Sequence, residues 1–273
     1  MRRMCRLAGF LGQQITLDDL VKGPPHGLYH QSYAARELET SVVSADGWGA
    51  AWYLEGDPVP CIYRSTLPIW GDANAPELGR AVSSRCFLAA VRSATDPLGI
   101  AMHNTQPFRF EALTFVHNGY VERFRETLRR TVSHSVSDHV YNQVVGDTDS
   151  EHLFALVAER WSQATSVSPK RRLLDAVCDA VLDMKRLASE RALRALCTVV
   201  VSDGRYMVAV RTACGARSPT LYCRQAANGG VWFASEPLDQ KAGWQPVAED
   251  SVILTTAEGA IESQPLVAQS SAR

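Results

Sequence analysis

Apolar residues run along this chain in two rhythms. Short apolar runs rich in β-branched or aromatic residues recur at Leu7–Leu11, Gly49–Tyr53, Cys86–Val91, Leu113–Val116, Thr198–Ser202, Met207–Arg211, Val231–Ala234 and Val252–Thr255, and each predicts a strand. Several are apolar without a break, as strands covered on both faces are. In mid-chain the spacing changes to three and four. Leu153, Phe154, Val157, Ala158 and Trp161 form one such set, and Leu173, Leu174, Val177, Val181, Met184 and Leu187 another. Both predict amphipathic helices. The first opens with Thr148-Asp149-Ser150-Glu151, a capping-box pattern with Thr148 as N-cap and Glu151 reaching back to it. Asp149 then sits in the first turn, where the helix dipole favours a carboxylate. Asp203-Gly204, between two strand runs, predicts a tight hairpin.

Two strand-rich halves flanking a helical layer suit two stacked sheets covered outside by helices, although segment order alone admits other α+β arrangements. No Pro/Gly-rich linker divides the chain, so a single domain over residues 5–262 is expected. The tail after Glu262, residues 263–273, is polar and expected to fray.

Composition narrows the possible partners. The chain has 273 residues, long enough for a substantial core. Its 28 basic and 29 acidic residues give a formal net charge of −1, without the basic excess of a nucleic-acid binder. No apolar run approaches the roughly 20 residues of a membrane helix. The basic start is followed by too short an apolar stretch for a signal peptide, so a cytoplasmic protein is expected. The seven cysteines (Cys5, Cys61, Cys86, Cys178, Cys197, Cys214 and Cys223) are odd in number and scattered, with no CxxC pair. That argues against a disulfide framework and a structural zinc site, and most of them read as small buried hydrophobes.

Cys5 invites a different reading because it lies at the extreme N-terminus, directly before the first strand. If translation starts at Met4, methionine removal exposes Cys5 as residue one. Its α-amine, with a pKa near 7.7–8.0, can then take the thiol proton without a histidine. Met1-Arg2-Arg3 complicates this, since a peptide nitrogen at Cys5 is no base. Residues 1–4 are therefore expected to be a mis-assigned start or a removable extension. Val116-His117-Asn118-Gly119 reads as the end of a strand in a polar turn, where an Asn side chain and a Gly N–H can form an oxyanion hole. Taken alone it is equally a plain Asn-Gly turn. Arg92 ends another strand and can pair bidentately with a carboxylate, or simply form a surface ion pair. Asp149 can bind an ammonium group or serve only its helix. Asp46-Gly47-Trp48-Gly49 enters a strand, as a tight turn and nothing more or as one that lets backbone approach a ligand.

Met4-Cys5, Arg92, His117-Asn118-Gly119 and Asp147-Thr148-Asp149-Ser150-Glu151 occur in the order found in class II glutamine amidotransferases, which the chain resembles. The resemblance implies a four-layer αββα sandwich of the N-terminal-nucleophile hydrolase type. It also implies Cys5 as nucleophile, Asn118 with Gly119 at the oxyanion, Arg92 on the substrate α-carboxylate and Asp149 on its α-ammonium. Within that family, Cys5-Arg6-Leu7-Ala8, Pro24-Pro25-His26, Gln31-Ser32-Tyr33-Ala34, Pro68-Ile69-Trp70, Arg92-Ser93-Ala94-Thr95, Asn104-Thr105-Gln106-Pro107-Phe108 and Ala234-Ser235-Glu236-Pro237-Leu238 look like the ergothioneine-biosynthesis amidohydrolases. Those enzymes release glutamate and hercynylcysteine S-oxide from γ-glutamyl-hercynylcysteine S-oxide. Trp48, Trp70 and Tyr33 are then candidates to face its trimethylammonium group, with a plain core role as the alternative, and His117, with His26 and His103, a polar pocket wall. No metal or organic cofactor is required. The expected partner is a small γ-glutamyl substrate, with a second copy of the chain or a pathway enzyme left open. The rival readings are a glutathione-type γ-glutamyl peptidase or glutaminase subunit, and a non-catalytic binding subunit.

Overall fold

The computed structural model describes residues 4–37, 43–94, 99–164 and 168–268. Two antiparallel sheets lie face to face. The first contains β1 (Arg6–Thr16), β2 (Trp48–Trp52), β3 (Cys61–Ser65), β4 (Ser83–Val91), β9 (Tyr222–Gln225), β10 (Val231–Ala234) and β11 (Gln245–Pro246), in the order β11-β9-β10-β1-β4-β2-β3. The second contains β5 (Phe108–Phe110), β6 (Leu113–Val121), β7 (Ala195–Ser202), β8 (Tyr206–Cys214), β12 (Ser251–Thr256) and β13 (Ile261–Pro265), in the order β13-β12-β8-β7-β6-β5. Helices α1 (Leu17–Val21), α2 (Leu28–Ala34) and α3 (Asn74–Ala81) accompany the first sheet, and α7 (Asp149–Gln163) and α8 (Pro169–Ser189) cover the second. The short helices α4 (Phe124–Thr127), α5 (Arg129–Ser133) and α6 (Asp138–Tyr141) connect β6 to α7. The result is the four-layer αββα sandwich.

The unbroken apolar strands have the reason the sequence suggested. In β1, Leu7 and Leu11 enter the core between the sheets with Leu88, Val116, Val200 and Phe233, while Ala8 and Phe10 enter the core under the helices with Leu17, Leu20 and Phe87. Each residue of a strand between two cores is buried whichever way it points. Gly9 lies on the inner face, where an added Cβ would sit 2.9 Å from Leu88 Cδ2; the two sheets close tightly there. Cys86, Cys178, Cys197 and Cys223 are buried, and burial pushes each of these thiols up to about 12.

All eight predicted strands and both long helices are present. Pro169 opens α8 in its first turn, where its missing N–H costs nothing. Two local expectations are corrected. Thr148 caps α7 through the Glu151 N–H at 3.1 Å, but the Glu151 carboxylate accepts from the Val145 and Gly146 N–H groups instead of reaching back. The tail stays ordered beyond Glu262: β13 pairs with β12 through Pro265, and Leu266 is buried with its N–H donating to Asp250 O. Residues 1–3 and 269–273 lie outside the described residues.

Candidate active site

The start of β1 meets the end of β4. The register pairs Arg6 with Val91, so one residue further on Cys5 stands beside Arg92. Leu7 and Ala90 of this edge share the inter-sheet core with Val116 of β6, which brings the second sheet against the same end. Arg92 is fixed by its backbone: its N–H donates to Gly47 O at 2.8 Å and its carbonyl accepts from Asp46 N–H at 3.0 Å. The Asp46 carboxylate in turn accepts from Ala94 N–H at 2.7 Å. Gly47 has φ +125°, and a Cβ there would lie 2.7 Å from Ser65 O. The Asp-Gly turn therefore brings backbone close to backbone, and its use is to hold the Arg92–Ala94 segment. The Arg92 guanidinium is largely buried and donates to Gly99 O at 3.1 and 3.2 Å.

Burial raises the pKa of the Cys5 thiol; the Ser93 N–H and the charges of Arg92 and Arg6 pull it down, and Asp149 pushes it up. The net direction is upward, so the thiol stays protonated at neutral pH without a base. None of the ionisable groups acting on it is a histidine.

His117-Asn118-Gly119 is not a turn. All three residues lie inside β6, opposite Val199, Thr198 and Cys197 of β7. Their alternation sorts the side chains. Asn118 is buried facing the first sheet and Cys5. With the amide oriented to satisfy both neighbours, its Nδ2 donates to Cys5 O at 2.7 Å and its Oδ1 accepts from Arg6 NH1 at 3.2 Å. His117 points the opposite way, towards α7. Its Nδ1 lies 2.8 Å from Ser150 Oγ and its Nε2 2.9 Å from Leu196 O. Burial holds its pKa down, so the ring is neutral, accepting from Ser150 and donating to Leu196. The expectation of His117 on a substrate pocket wall is corrected: the ring fills the α7 face of the sheet. His26 is bound to Glu236 and His103 lies beside Glu151, so the three histidines form no common wall.

The free edge of β6 explains Gly119. Beyond the short β5, successive N–H groups point alternately to β7 and to this edge. The His117 N–H donates to Gln106 Oε1, while Gln106 Nε2 donates to His117 O at 3.0 Å. The Val121 N–H donates to Asp149 Oδ2 at 2.5 Å. The Gly119 N–H lies between them on the same edge and has no partner among the described residues. No side chain fits here: a Cβ on Gly119 would lie 1.9 Å from Leu196 O and 2.4 Å from His117 Nε2. Cys5, Arg92, Asn118, Gly119 and Asp149 thus converge on one end of the sandwich.

The tryptophans do not. Trp48 is on the outer face of the first sheet, 1% exposed, packed among Phe10, Leu17 and Phe87, with Nε1 donating to Asp72 Oδ2 at 2.8 Å. Its expected place in a substrate pocket is corrected to a core residue. Trp70 is 39% exposed and meets Tyr33 edge-on at 5.8 Å in a surface cluster with Tyr29 and His30. That cluster rides on α2, whose Ser32 carbonyl accepts from the Ser44 N–H; Ser44 Oγ in turn donates to Met4 O. A separate cavity of about 410 Å³, lined by Arg64, Phe108, Arg109, Glu151 and Phe154, includes none of the five converging residues. Among the described residues, no group of three or more His, Cys, Asp or Glu side chains is arranged to hold a metal ion, and no helix is long and apolar enough to cross a membrane.

An N-terminal-side cysteine at the end of one sheet, facing an Asn-Gly pair on the other inside an αββα sandwich, defines an amidohydrolase of the N-terminal-nucleophile type. The sequence profile of the class II glutamine amidotransferases matches residues 26–226, and the chain belongs to that family. It is 30% identical over 256 residues to the gamma-glutamyl-hercynylcysteine sulfoxide hydrolase of Mycobacterium tuberculosis, covering 94% of each chain. It is 28% identical to the probable glutamine amidotransferase DUG3 of Saccharomyces cerevisiae, covering 97% of this chain and 85% of that one. Among solved structures, a class II glutamine aminotransferase domain protein of Silicibacter pomeroyi superposes with a TM-score of 0.68 at 24% identity, covering 96% and 99% of the two chains. The allosteric regulatory enzyme of purine biosynthesis has the same fold, with a TM-score of 0.66 at 17% identity over 97% of this chain and 50% of that one.

Proposed function

We propose that this amidohydrolase cleaves the γ-glutamyl amide of γ-glutamyl-hercynylcysteine S-oxide through a Cys5 thioester. The observation that carries the chemistry is the Gly119 N–H on the β6 edge, without a partner among the described residues and next in the chain to the Asn118 amide that holds Cys5. Two donors there can receive the oxygen that becomes negative as the thiolate adds to the carbonyl, and each such donor is worth about a hundred- to a thousandfold in rate. Arg92 and Asp149 act on the thiol with opposite charges, a pair suited to a glutamyl α-carboxylate and α-ammonium. The raised thiol pKa and the lack of a histidine acting on it favour the Cys5 α-amine as base, which requires removal of residues 1–4. The amine product leaves, and water hydrolyses the thioester. The mycobacterial relative, a gamma-glutamyl-hercynylcysteine sulfoxide hydrolase matched over nearly the whole length of both chains, supports the sulfoxide as substrate.

The test compares turnover of γ-glutamyl-hercynylcysteine S-oxide, glutathione and glutamine by protein whose intact mass has been measured. The sulfoxide is expected to have the highest kcat/KM, with Cys5 as the first residue of the active species. Preference for glutathione would replace the substrate. Full activity in a species retaining Met1 would overturn the terminal-amine base.

A further inference from the structure

Behind Asn118 lies a buried charge pair to which the reaction above gives no role. The Arg6 side chain is 0% exposed, and its Nε is 3.3 Å from Glu236 Oε1. Its NH1 donates to Cys5 O at 3.3 Å and to Asn118 Oδ1 at 3.2 Å, so the cysteine carbonyl, the guanidinium and the amide form a closed triangle. Glu236, 1% exposed, is itself held on several sides. It accepts from Arg36 N–H and Glu37 N–H at 2.9–3.1 Å, and His26 Nε2 is 2.7 Å from its Oε2. Burial works against the Glu236 charge, but His26, the two N–H groups and Arg6 outweigh it and keep the carboxyl below its usual range. The Gln31 amide, donating to His26 O and Glu236 O, braces the backbone beneath.

Such a pair is a poor device for stability alone. Desolvating two charges costs several kcal/mol per ion, and apolar residues of the same volume often do as well or better. Here the arrangement is also incomplete, since Arg6 NH2 is buried without a hydrogen-bond partner among the described residues, and Nε meets Glu236 as an ion pair without a hydrogen bond. A buried unsatisfied donor calls for a reason beyond packing.

The reason lies in the symmetry of an amide. The oxygen and nitrogen of Asn118 are nearly the same size, so packing does not choose between the two orientations. Charge does. The cationic NH1 can only donate, so the amide oxygen must stand beside it to accept, which turns the nitrogen, the donor, towards Cys5. We propose that Arg6, locked by Glu236, is the positioning residue that fixes the Asn118 amide with its N–H groups on the nucleophile side. This rests on the reading of Asn118 as an oxyanion donor. Without Arg6 the amide spends time reversed, presenting an oxygen lone pair to a developing negative charge.

A double-mutant cycle on kcat separates the two ideas, with γ-glutamyl-p-nitroanilide as probe. Asn118→Ala is expected to lower kcat about a hundredfold. Arg6→Lys keeps the charge beside Glu236 but loses the planar fork, and is expected to lower kcat about tenfold with KM unchanged. The double variant should fall no lower than Asn118→Ala within a factor of two, because Arg6 acts through an amide that is then absent. Glu236→Gln, melting within a few degrees of wild type, should lose a few-fold in kcat, and that loss too should vanish in the Asn118→Ala background. Multiplicative losses, about a thousandfold in the Arg6→Lys/Asn118→Ala double, would overturn the positioning role while leaving Asn118 a donor. A raised KM at constant kcat in Arg6→Lys would overturn it as well. Wild-type kcat in Asn118→Ala would remove the oxyanion reading itself, and the positioning role with it.

Discussion

Gly119→Ala tests whether the β6 edge is built as described. The added methyl is small, but its position is fixed by the strand. It would stand 1.9 Å from Leu196 O, 2.8 Å from Leu196 C and 2.4 Å from His117 Nε2. Real Cβ atoms essentially never approach within 3.0 Å of such atoms, so β6 and β7 must part by about 1 Å, or the imidazole must leave the Leu196 carbonyl. Neither movement is easy. Leu196 O belongs to the ladder between β6 and β7, and His117 is held on its other nitrogen by Ser150. Overpacking of this kind costs about 1–3 kcal/mol, and loss of the His117–Leu196 bond in a buried place about 1–3 kcal/mol more. At about 2–4 °C per kcal/mol for a chain of this size, the summed cost of about 2–6 kcal/mol should lower the melting temperature by roughly 4–24 °C. The Gly119 N–H moves with its strand. A 1 Å misplacement of a catalytic group can cost about a hundredfold, so kcat should fall by that order or more with KM little changed. The measurements are scanning calorimetry and p-nitroaniline release from γ-glutamyl-p-nitroanilide. A Gly119→Ala protein with wild-type melting temperature and kcat would refute the close approach to Leu196, and with it the assignment of this N–H to the site.

Cys5→Ala should abolish turnover and accumulate no γ-glutamyl thioester when substrate is mixed with protein and analysed by intact-mass spectrometry; persistent hydrolysis would remove the nucleophile. Trp48→Phe should lower stability by about 1–3 kcal/mol through the lost bond to Asp72 and poorer packing, with KM within twofold of wild type, because the ring lies on the far face of the sheet from Cys5. A large KM increase would return Trp48 to the substrate pocket. His117 has a folded pKa held below its unfolded value near 6.5 by burial. Below about pH 6.5 the unfolded chain takes up a proton that the folded ring refuses, so stability falls as pH drops from there towards the folded pKa. His117→Gln is less stable at every pH, but its unfolding free energy, measured by urea at pH 7.5 and 5.5, should fall less with acid, by up to about 1.4 kcal/mol per pH unit. An unchanged slope would show that the ring is already charged in the fold.

The elements legible from sequence were those whose burial is complete. β1, β7 and β8 lie between two apolar layers and read as unbroken apolar runs; α8 buries one stripe and shows it, and α7 is buried on nearly every side from Ser150 to Glu159. What escaped were pieces defined by pairing more than by burial. β13 is exposed along its whole length and looks like a polar tail, yet β12 supplies its hydrogen bonds. β3, β9 and β11 belong to the margin of the first sheet, and β5 pairs at the edge of the second, where two to five residues suffice and an alternating pattern has little room to appear.

The site divides along the same line. Cys5, Arg92, Asn118, Gly119 and Asp149 were nameable because their chemistry is carried by the residue type, and type is what a sequence displays. Direction is not displayed. His117 and Asn118 are neighbours in the chain, and period-two alternation sends one to α7 and the other to Cys5. Reading the pair as a turn hid this alternation and placed both in the pocket. The same parity argument sends Trp48 outward, since it pairs with Val91, one position before Arg92 on the strand and therefore on the opposite face. Arg6 and Glu236 were in view only as parts of longer motifs. They lie 230 residues apart, and neither has a chemical reason to matter until β1 and the end of β10 bring them together behind Asn118. A charged residue directly after Cys5, in a strand whose next residues are Leu, Ala, Gly and Phe, was the available signal. In a strand buried on both faces, a guanidinium requires a buried carboxylate, and searching for that partner leads to Glu236.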